Sequence, residues 1–427
     1  RPSPVFMKNY EHSTNSNLLE YIEEFEKAEY VSKHIGSKCD FNIGKAYLSL
    51  FCALPDHVLS ETKLSKRVFH KQWSSKEHYE YRRFDPILNS ILSRNMKIYL
   101  QKFEYNIHEN INKDFDLFIQ NVLKQCYGEG SVKDPKLFDS VIYLLEKKIG
   151  FGEKYLGDLI GSRIINSKMD SDRAREYLRD FVLKGKFKQM NLDIIDRDHS
   201  IVDLILKMQQ KDNIPDSVFY TTLPSYLLLF IKLIGDRLSN FLIDISLDPS
   251  VFKKLENEQR AIIVRYGHEI SVRCLDKMVY LDAAINETLR LSSNALTMKE
   301  AQYDIFLPNR VFIPKGSLVK LNNINYFRSI EVFDLFPHDF IPERHFKLGT
   351  KLEVISKTNL SWGLGRVCPY KDYCAKFMKM FAATLIRSYK VSQGEQPQEY
   401  MHGGYFFDDV IRHAKTSLYL SRRYLNE

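Results

Sequence analysis

Helical periodicity recurs along most of the chain, and no linker interrupts it. Apolar residues return at three- and four-residue intervals over Ser16 to Lys33, Asp114 to Tyr127, Phe138 to Lys148, Ala174 to Lys186 and Ile201 to Gln210, which predicts amphipathic helices there. Strand patterns are short and cluster near Phe41 to Leu50, Val311 to Lys320 and Ser417 to Leu420. A length of 427 residues often means several domains. Without a repeat, a low-complexity tract or a Pro/Gly/Ser-rich break, the expectation here is one domain over residues 1–427, mainly α with a small β lobe.

Charge and cysteine usage narrow the function classes. The chain carries a formal net charge of +8, but its lysines are dispersed along helices among acids, and no nucleic-acid-reading motif accompanies them. A solvated surface is the expectation, with no nucleic-acid partner; at most the excess favours an acidic protein partner. The most apolar window, Tyr226 to Ile234, is interrupted by Lys232 and is too short to span a bilayer. Cysteines stand at 39, 52, 126, 274, 368 and 374 without paired metal spacing, and no histidine cluster completes a zinc tetrahedron. Their scatter fits a reducing compartment.

Cys368 has a special setting. It closes the run Ser361-Trp362-Gly363-Leu364-Gly365-Arg366-Val367-Cys368 and opens an amphipathic helix. Gly363 and Gly365 permit a tight turn beneath a flat macrocycle. Arg366 and the positive end of the following helix favour the thiolate form of the cysteine, the form that binds iron. The alternative for the isolated loop is a small, buried, apolar cysteine.

Three segments precede this loop in order. Glu287-Thr288-Leu289-Arg290 lies in a periodic stretch from Met278 to Leu291, so its glutamate and arginine share one helix face. Val311 to Lys320 reads as two short strands joined by a Pro-Lys-Gly turn, and Phe340-Ile341-Pro342-Glu343-Arg344-His345-Phe346 is a proline-interrupted aromatic loop. Together with the cysteine loop these segments resemble the cytochrome P450 family of haem-thiolate monooxygenases. The specific part of the resemblance runs from Asp282 to Val391. Fainter likeness continues upstream, in Leu247 to Glu256 and in Leu54 to Leu59.

The resemblance implies the cytochrome P450 fold, haem b bound through Cys368, and electrons from NADPH through a reductase. It implies a buried structural core of Glu287, Arg290 and Arg344. It places Arg366 and Lys299 beside the haem propionates, Lys299 because Lys299-Glu300-Ala301 stands where the family usually has Arg-Glu-Ala. His78 and Arg82, four apart, match the family's propionate-gripping Trp and Arg, with His78 in place of the tryptophan. Such an enzyme is expected to be a monomer acting on a small molecule. An N-terminal anchor ahead of the hinge-like Arg1-Pro2-Ser3-Pro4 would put it on the cytosolic face of the endoplasmic reticulum membrane; a naturally soluble enzyme would be cytoplasmic.

The departures bear on mechanism. Counting back from Pro249, the central-helix positions that in the family read Ala-Gly-x-acid-Thr fall on Leu229-Phe230-Ile231-Lys232-Leu233, so the proton-delivering acid and alcohol are missing in this register; a shifted register would use Gly235-Asp236. Phe230 and Leu233 then face the substrate pocket, or pack as ordinary core. Tyr370 stands where the family usually has glycine. High Lys, Asn, Tyr and Ile usage resembles an AT-rich yeast gene. The expected activity is therefore a fungal-type oxidation in secondary metabolism, with cyclo-Leu-Leu on the way to pulcherriminic acid as the suggested substrate. Alternatives are a dityrosine-forming spore-wall oxidase, a haem-binding sensor or scaffold without oxygenase activity, and an isomerase or peroxide-using enzyme on the same fold.

Overall fold

The structure is a computed structural model that describes chiefly residues 30–68, 240–293, 298–308, 311–364 and 371–392, together with Cys368 and short stretches near 134–140, 173–180, 234–238 and 405–425. Its backbone groups residues 1–64 and 236–427 into one compact unit and 65–235 into a second. Within the second unit, Asp134 accepts the backbone N–H groups of Lys136 and Leu137 at a helix start, and the Tyr177 hydroxyl donates to both its carboxylate oxygens.

Three helices form the α core of the first unit. Helix α3, Pro249–Tyr266, begins where Asp248 caps the N–H groups of Ser250 and Val251 and proline occupies the first turn, and it ends at Gly267 with φ of 85°. Its buried residues Val251, Leu255, Gln259 and Ile262 recur at helical spacing and face the core. Helix α5, Val279–Ser292, is buried continuously from Leu281 to Ser292, polar residues included. Helix α9, Lys371–Ser388, packs against both. A helix buried on all sides must pair every polar group it carries. That requirement shapes the site described below.

The sheet-rich part is a five-stranded sheet in the order β1 (Tyr30–Ile35), β2 (Lys38–Ile43), β7 (Leu318–Leu321), β4 (Met298–Ala301), β3 (Leu59–Ser60). Strands β2 and β7 run parallel, with Phe41 opposite Val319 and Ile43 opposite Leu321, and these four side chains lie on the core face. The other pairings are antiparallel. Strand β5 (Ile305–Phe306) pairs with β6 (Phe312–Ile313); Ile305 and Ile313 point inward, while Phe306 and Phe312 stack outside. Two further pairs, β8 (Tyr389–Ser392) with β11 (Tyr419–Arg422) and β9 (Tyr405–Phe406) with β10 (Arg412–His413), complete the strands.

Two expected element types are corrected. Tyr30 to Lys33 belong to strand β1 and not to the end of a helix, because pairing with β2 outweighs the local periodicity. The stretch Phe41 to Leu50 is strand only as far as Ile43; a short 3-10 turn at Lys45–Tyr47 leads into helix α1, Leu48–Ala53. The strands flanking the Pro-Lys-Gly turn are present, but they do not pair with each other: β6 joins β5, and β7 joins the large sheet. Gly316 sits in that turn with φ of 81°, a conformation that favours glycine.

Candidate functional site

Helix α5 is the spine of the site. Glu287 is fully buried, and its carboxylate accepts from Arg290 Nε at 2.7 Å and Nη2 at 2.8 Å, from Arg344 Nε at 2.8 Å, and from the Ile341 N–H at 3.0 Å. His345 Nε2 lies 2.8 Å from the same carboxylate. Burial alone would raise the carboxyl pKa, but the charge and hydrogen bonds of Arg290, then those of His345, outweigh it and hold Glu287 well below the usual range.

The two arginines reach beyond the glutamate. Arg290 donates to the carbonyls of Phe327, of Pro337 at 2.6 Å and of Asp339 at 3.1 Å. Arg344, at the start of helix α8 (Arg344–Leu348), donates to Phe333 at 2.6 Å and Phe336 at 2.8 Å, with longer bonds to Leu335 and Asp339. One carboxylate thus faces two guanidinium groups, and the surplus positive charge is met by backbone carbonyl oxygens. The consequence is a fixed 327–339 segment. It includes helix α7 (Ile330–Phe333) and two non-glycine residues in left-handed conformation, Asp334 at φ 64° and Phe336 at φ 57°, which the clamp holds in place.

The cysteine strap hangs from the other end of α5. Asp282 Oδ1 accepts the Leu352 N–H at 2.9 Å, and its Oδ2 lies 2.6 Å from the Lys379 ammonium of α9. Asn359 donates to the carbonyls of Lys351, Leu352 and Val354, and buried Trp362 donates its indole N–H to Leu352. Gly363, at φ of 102°, lets the chain turn beyond the tryptophan. The Cys368 N–H then returns to the Trp362 carbonyl at 2.7 Å. Cys368 itself is a half-buried thiol three residues ahead of α9, whereas Cys374 is buried within that helix.

These residues fit a metal held in a macrocycle. Among the described residues no group of three His, Cys, Asp or Glu side chains could hold a metal ion by itself. An iron held by a porphyrin would ask the protein for a single donor, and the Cys368 thiol, just ahead of the positive end of an 18-residue helix, has the chemistry to supply it.

The structure brings Glu287, Arg290 and Arg344 together and sets Cys368 on the strap tied to the same helix. It turns Lys299 elsewhere. Register places Lys299 opposite Val319 on the core side of β4, so its buried ammonium needs an acceptor; it donates to the Phe51 carbonyl at 2.7 Å, in the last turn of α1, and lies over the Phe51 ring. His78, Arg82, Phe230, Leu233 and Arg366, with Lys232 and Asp236, lie outside the described residues. Sequence reasoning missed His345, Asp282 and Asn359. Only His345 had a visible signal, its place directly after Arg344.

A helical unit with a cysteine strap leading into a long buried helix, and a Glu-Arg-Arg cluster behind it, is an arrangement that could hold a haem through a thiolate. The family model for Cytochrome P450 matches residues 237–418, which holds the cluster and the strap. Over these residues the chain resembles the cytochrome P450 family. It is similar to dihydro-ML-236C monooxygenase mlcC of Penicillium citrinum, 29% identical over 43% of this chain and 36% of that protein. It also resembles the probable cytochrome P450 12d1 proximal, mitochondrial, of Drosophila melanogaster, 33% identical over 36% of this chain and 30% of the relative. Cytochrome P450 monooxygenase apdE of Emericella nidulans is 24% identical over 56% of this chain and 44% of its own length. The matches to these three relatives thus span less than half the length of each.

Proposed function

We propose that this protein is a cytochrome P450 monooxygenase that oxidises a small organic molecule of secondary metabolism, with Cys368 as the axial thiolate of haem b and an NADPH-dependent reductase as electron donor. The observation that carries the reading is the coupling of Cys368 to the buried Glu287 cluster through one helix, inside the segment that matches the family. When bound, the haem supplies dioxygen activation, which an electron-rich thiolate ligand favours. The chain's own residues do the rest. Trp362, Asn359 and Asp282 tie down the strap around Leu352, ahead of Cys368, and Arg290 and Arg344 bond to the carbonyls of the 327–339 segment. Arg366, Arg82, His78 and Lys299 are the further residues proposed for the propionates; Lys299 has donors to spare beyond its bond to the Phe51 carbonyl.

Fungal monooxygenases among the relatives support a secondary-metabolite substrate. Cyclo-Leu-Leu is the specific candidate, because the polar N–H and C=O groups of a diketopiperazine could join a proton relay that lacks the usual acid and alcohol. A reductase of the usual microsomal kind would put the enzyme on the cytosolic face of the endoplasmic reticulum. Among the described residues no helix is long and apolar enough to cross a membrane.

The carbon-monoxide spectrum of the reduced protein tests the ligand. Cys368→Ala is expected to abolish the red-shifted thiolate band, and Cys374→Ala to retain it; the reverse result would move the ligand to α9. A binding-spectrum screen of cyclic dipeptides, followed by turnover with NADPH and reductase, tests the substrate. No spectral shift with cyclo-Leu-Leu would remove that candidate and leave the family reading intact.

A further inference from the structure

We infer that His345 is a fourth, positioning member of the Glu287 cluster, donating its Nε2–H to the Glu287 carboxylate. Its side chain is completely buried on α8 and faces Glu287 across the helix interface. Glu287 Oε1 already takes Arg290, Arg344 and the Ile341 N–H, while Oε2 takes only Arg290 Nε. His345 Nε2, at 2.8 Å from Oε2, fills the remaining direction. An ionised carboxylate can only accept, so this nitrogen carries the proton. On the far side of the ring the Asn286 amide nitrogen lies 3.5 Å from Nδ1. At that distance the Asn286 amide packs against the ring edge and orients it, while the proton on Nε2 is set by Glu287.

Geometry gives this bond a task. Arg290 grips Glu287 from its own helix, three residues on, and Arg344 grips it from α8, both with long side chains. His345 is short, rigid and buried. It fixes the tilt of the carboxylate plane, and that plane sets where the two guanidinium groups meet the carbonyls of 327–339. Asn286 and Glu287 are neighbours on α5, and Arg344 and His345 are neighbours on α8, so the two helices are joined by consecutive residues on each. A phenylalanine at 345 would fill the space and leave Oε2 short of a donor.

The test has two independent arms. Protein labelled with nitrogen-15 in histidine is measured as isolated, with His345→Gln used to assign the ring. The expected signature is a proton on Nε2 held in a hydrogen bond to a carboxylate; an unprotonated Nε2 would overturn the inference. In the second arm the rate at which the thiolate band is lost on heating is compared among variants, and this arm also rests on the haem-thiolate reading. His345→Phe is expected to speed the loss by about tenfold or more, the value of a hydrogen bond to a charged group, while His345→Gln, which keeps a donor near Nε2, stays within about threefold of the natural protein. A phenylalanine variant as durable as the natural protein, or a glutamine variant as labile as phenylalanine, would sink it. If His345→Phe does not fold, the Nε2 proton still decides. A natural protein with that proton but no thiolate band would count against the haem reading alone.

Discussion

Arg290 places its guanidinium where a charge can stay only if every donor finds an acceptor. Its side chain is 1% exposed, against 0% for Glu287, so neither group has water to fall back on. Removing the arginine would leave the buried carboxylate with Arg344 as its one guanidinium partner and release the Phe327 and Pro337 carbonyls. Arg290→Ala is expected to cost about 3–5 kcal/mol of stability, the usual penalty for stranding one partner of a buried pair. Denaturant unfolding and haem content measure it; near-natural values for both would show that the cluster is not what holds the 327–339 segment. Sequence spacing alone made Glu287 and Arg290 neighbours on a helix face, an arrangement that commonly decorates solvated helices. Burial cannot be read from spacing. Lys299 shows the converse: the motif position is legible, but its acceptor, Phe51, lies 248 residues away in sequence.

Helix α5 is fastened at its N-terminus by a carboxylate from another helix. Glu258 of α3 accepts the backbone N–H groups of Tyr280 and Leu281, doing from a distance what a local capping residue normally does, since Met278 makes no side-chain cap. Burial pushes the Glu258 carboxyl up to about 7, although the two N–H bonds and Lys379 pull the other way. A folded-state pKa above the unfolded value means that the folded protein binds the proton more tightly. Stability from this group is therefore present in full below pH about 4.5, falls as pH rises towards about 7, and is level above that. The fall should be on the order of 2–3 kcal/mol, and Glu258→Gln should flatten it. Unfolding curves at pH 5 and 7.5 for both proteins check this; equal slopes with pH would assign the dependence elsewhere. At this scale helix α5 was the clearly legible element among the described residues. The periodic stretch from Met278 to Leu291 corresponds to α5 almost residue for residue, because a long buried helix keeps its apolar rhythm. Strand β1 was not legible, because its conformation depends on pairing with β2 more than on its own pattern.

Across the whole molecule, information about chemistry is distributed unevenly. The part that matches the family, residues 237–418, carries the cysteine strap and the cluster; Phe230, Lys232 and Leu233, which would face substrate and oxygen, precede it. A thiolate ligand would require one geometry, whereas pocket walls follow the substrate, so the cysteine loop carries a recognisable motif and the substrate does not. Proton delivery falls on that boundary. If Lys232 and Leu233 stand in the positions of the acid and alcohol, protons must come from water, substrate or another side chain. Leu233→Thr should then leave turnover unchanged or lower it, because a hydroxyl without an acidic neighbour or a bonding partner is costly to bury. Asp236→Asn tests the other register. Turnover near the natural rate supports the first alignment, and collapse of oxygen activation with haem content and substrate affinity preserved would route the protons through Asp236. Comparing each variant with NADPH and reductase against peroxide separates the two readings further: peroxide should rescue a broken proton path, whereas a protein that turns over under neither condition would favour a haem-binding sensor.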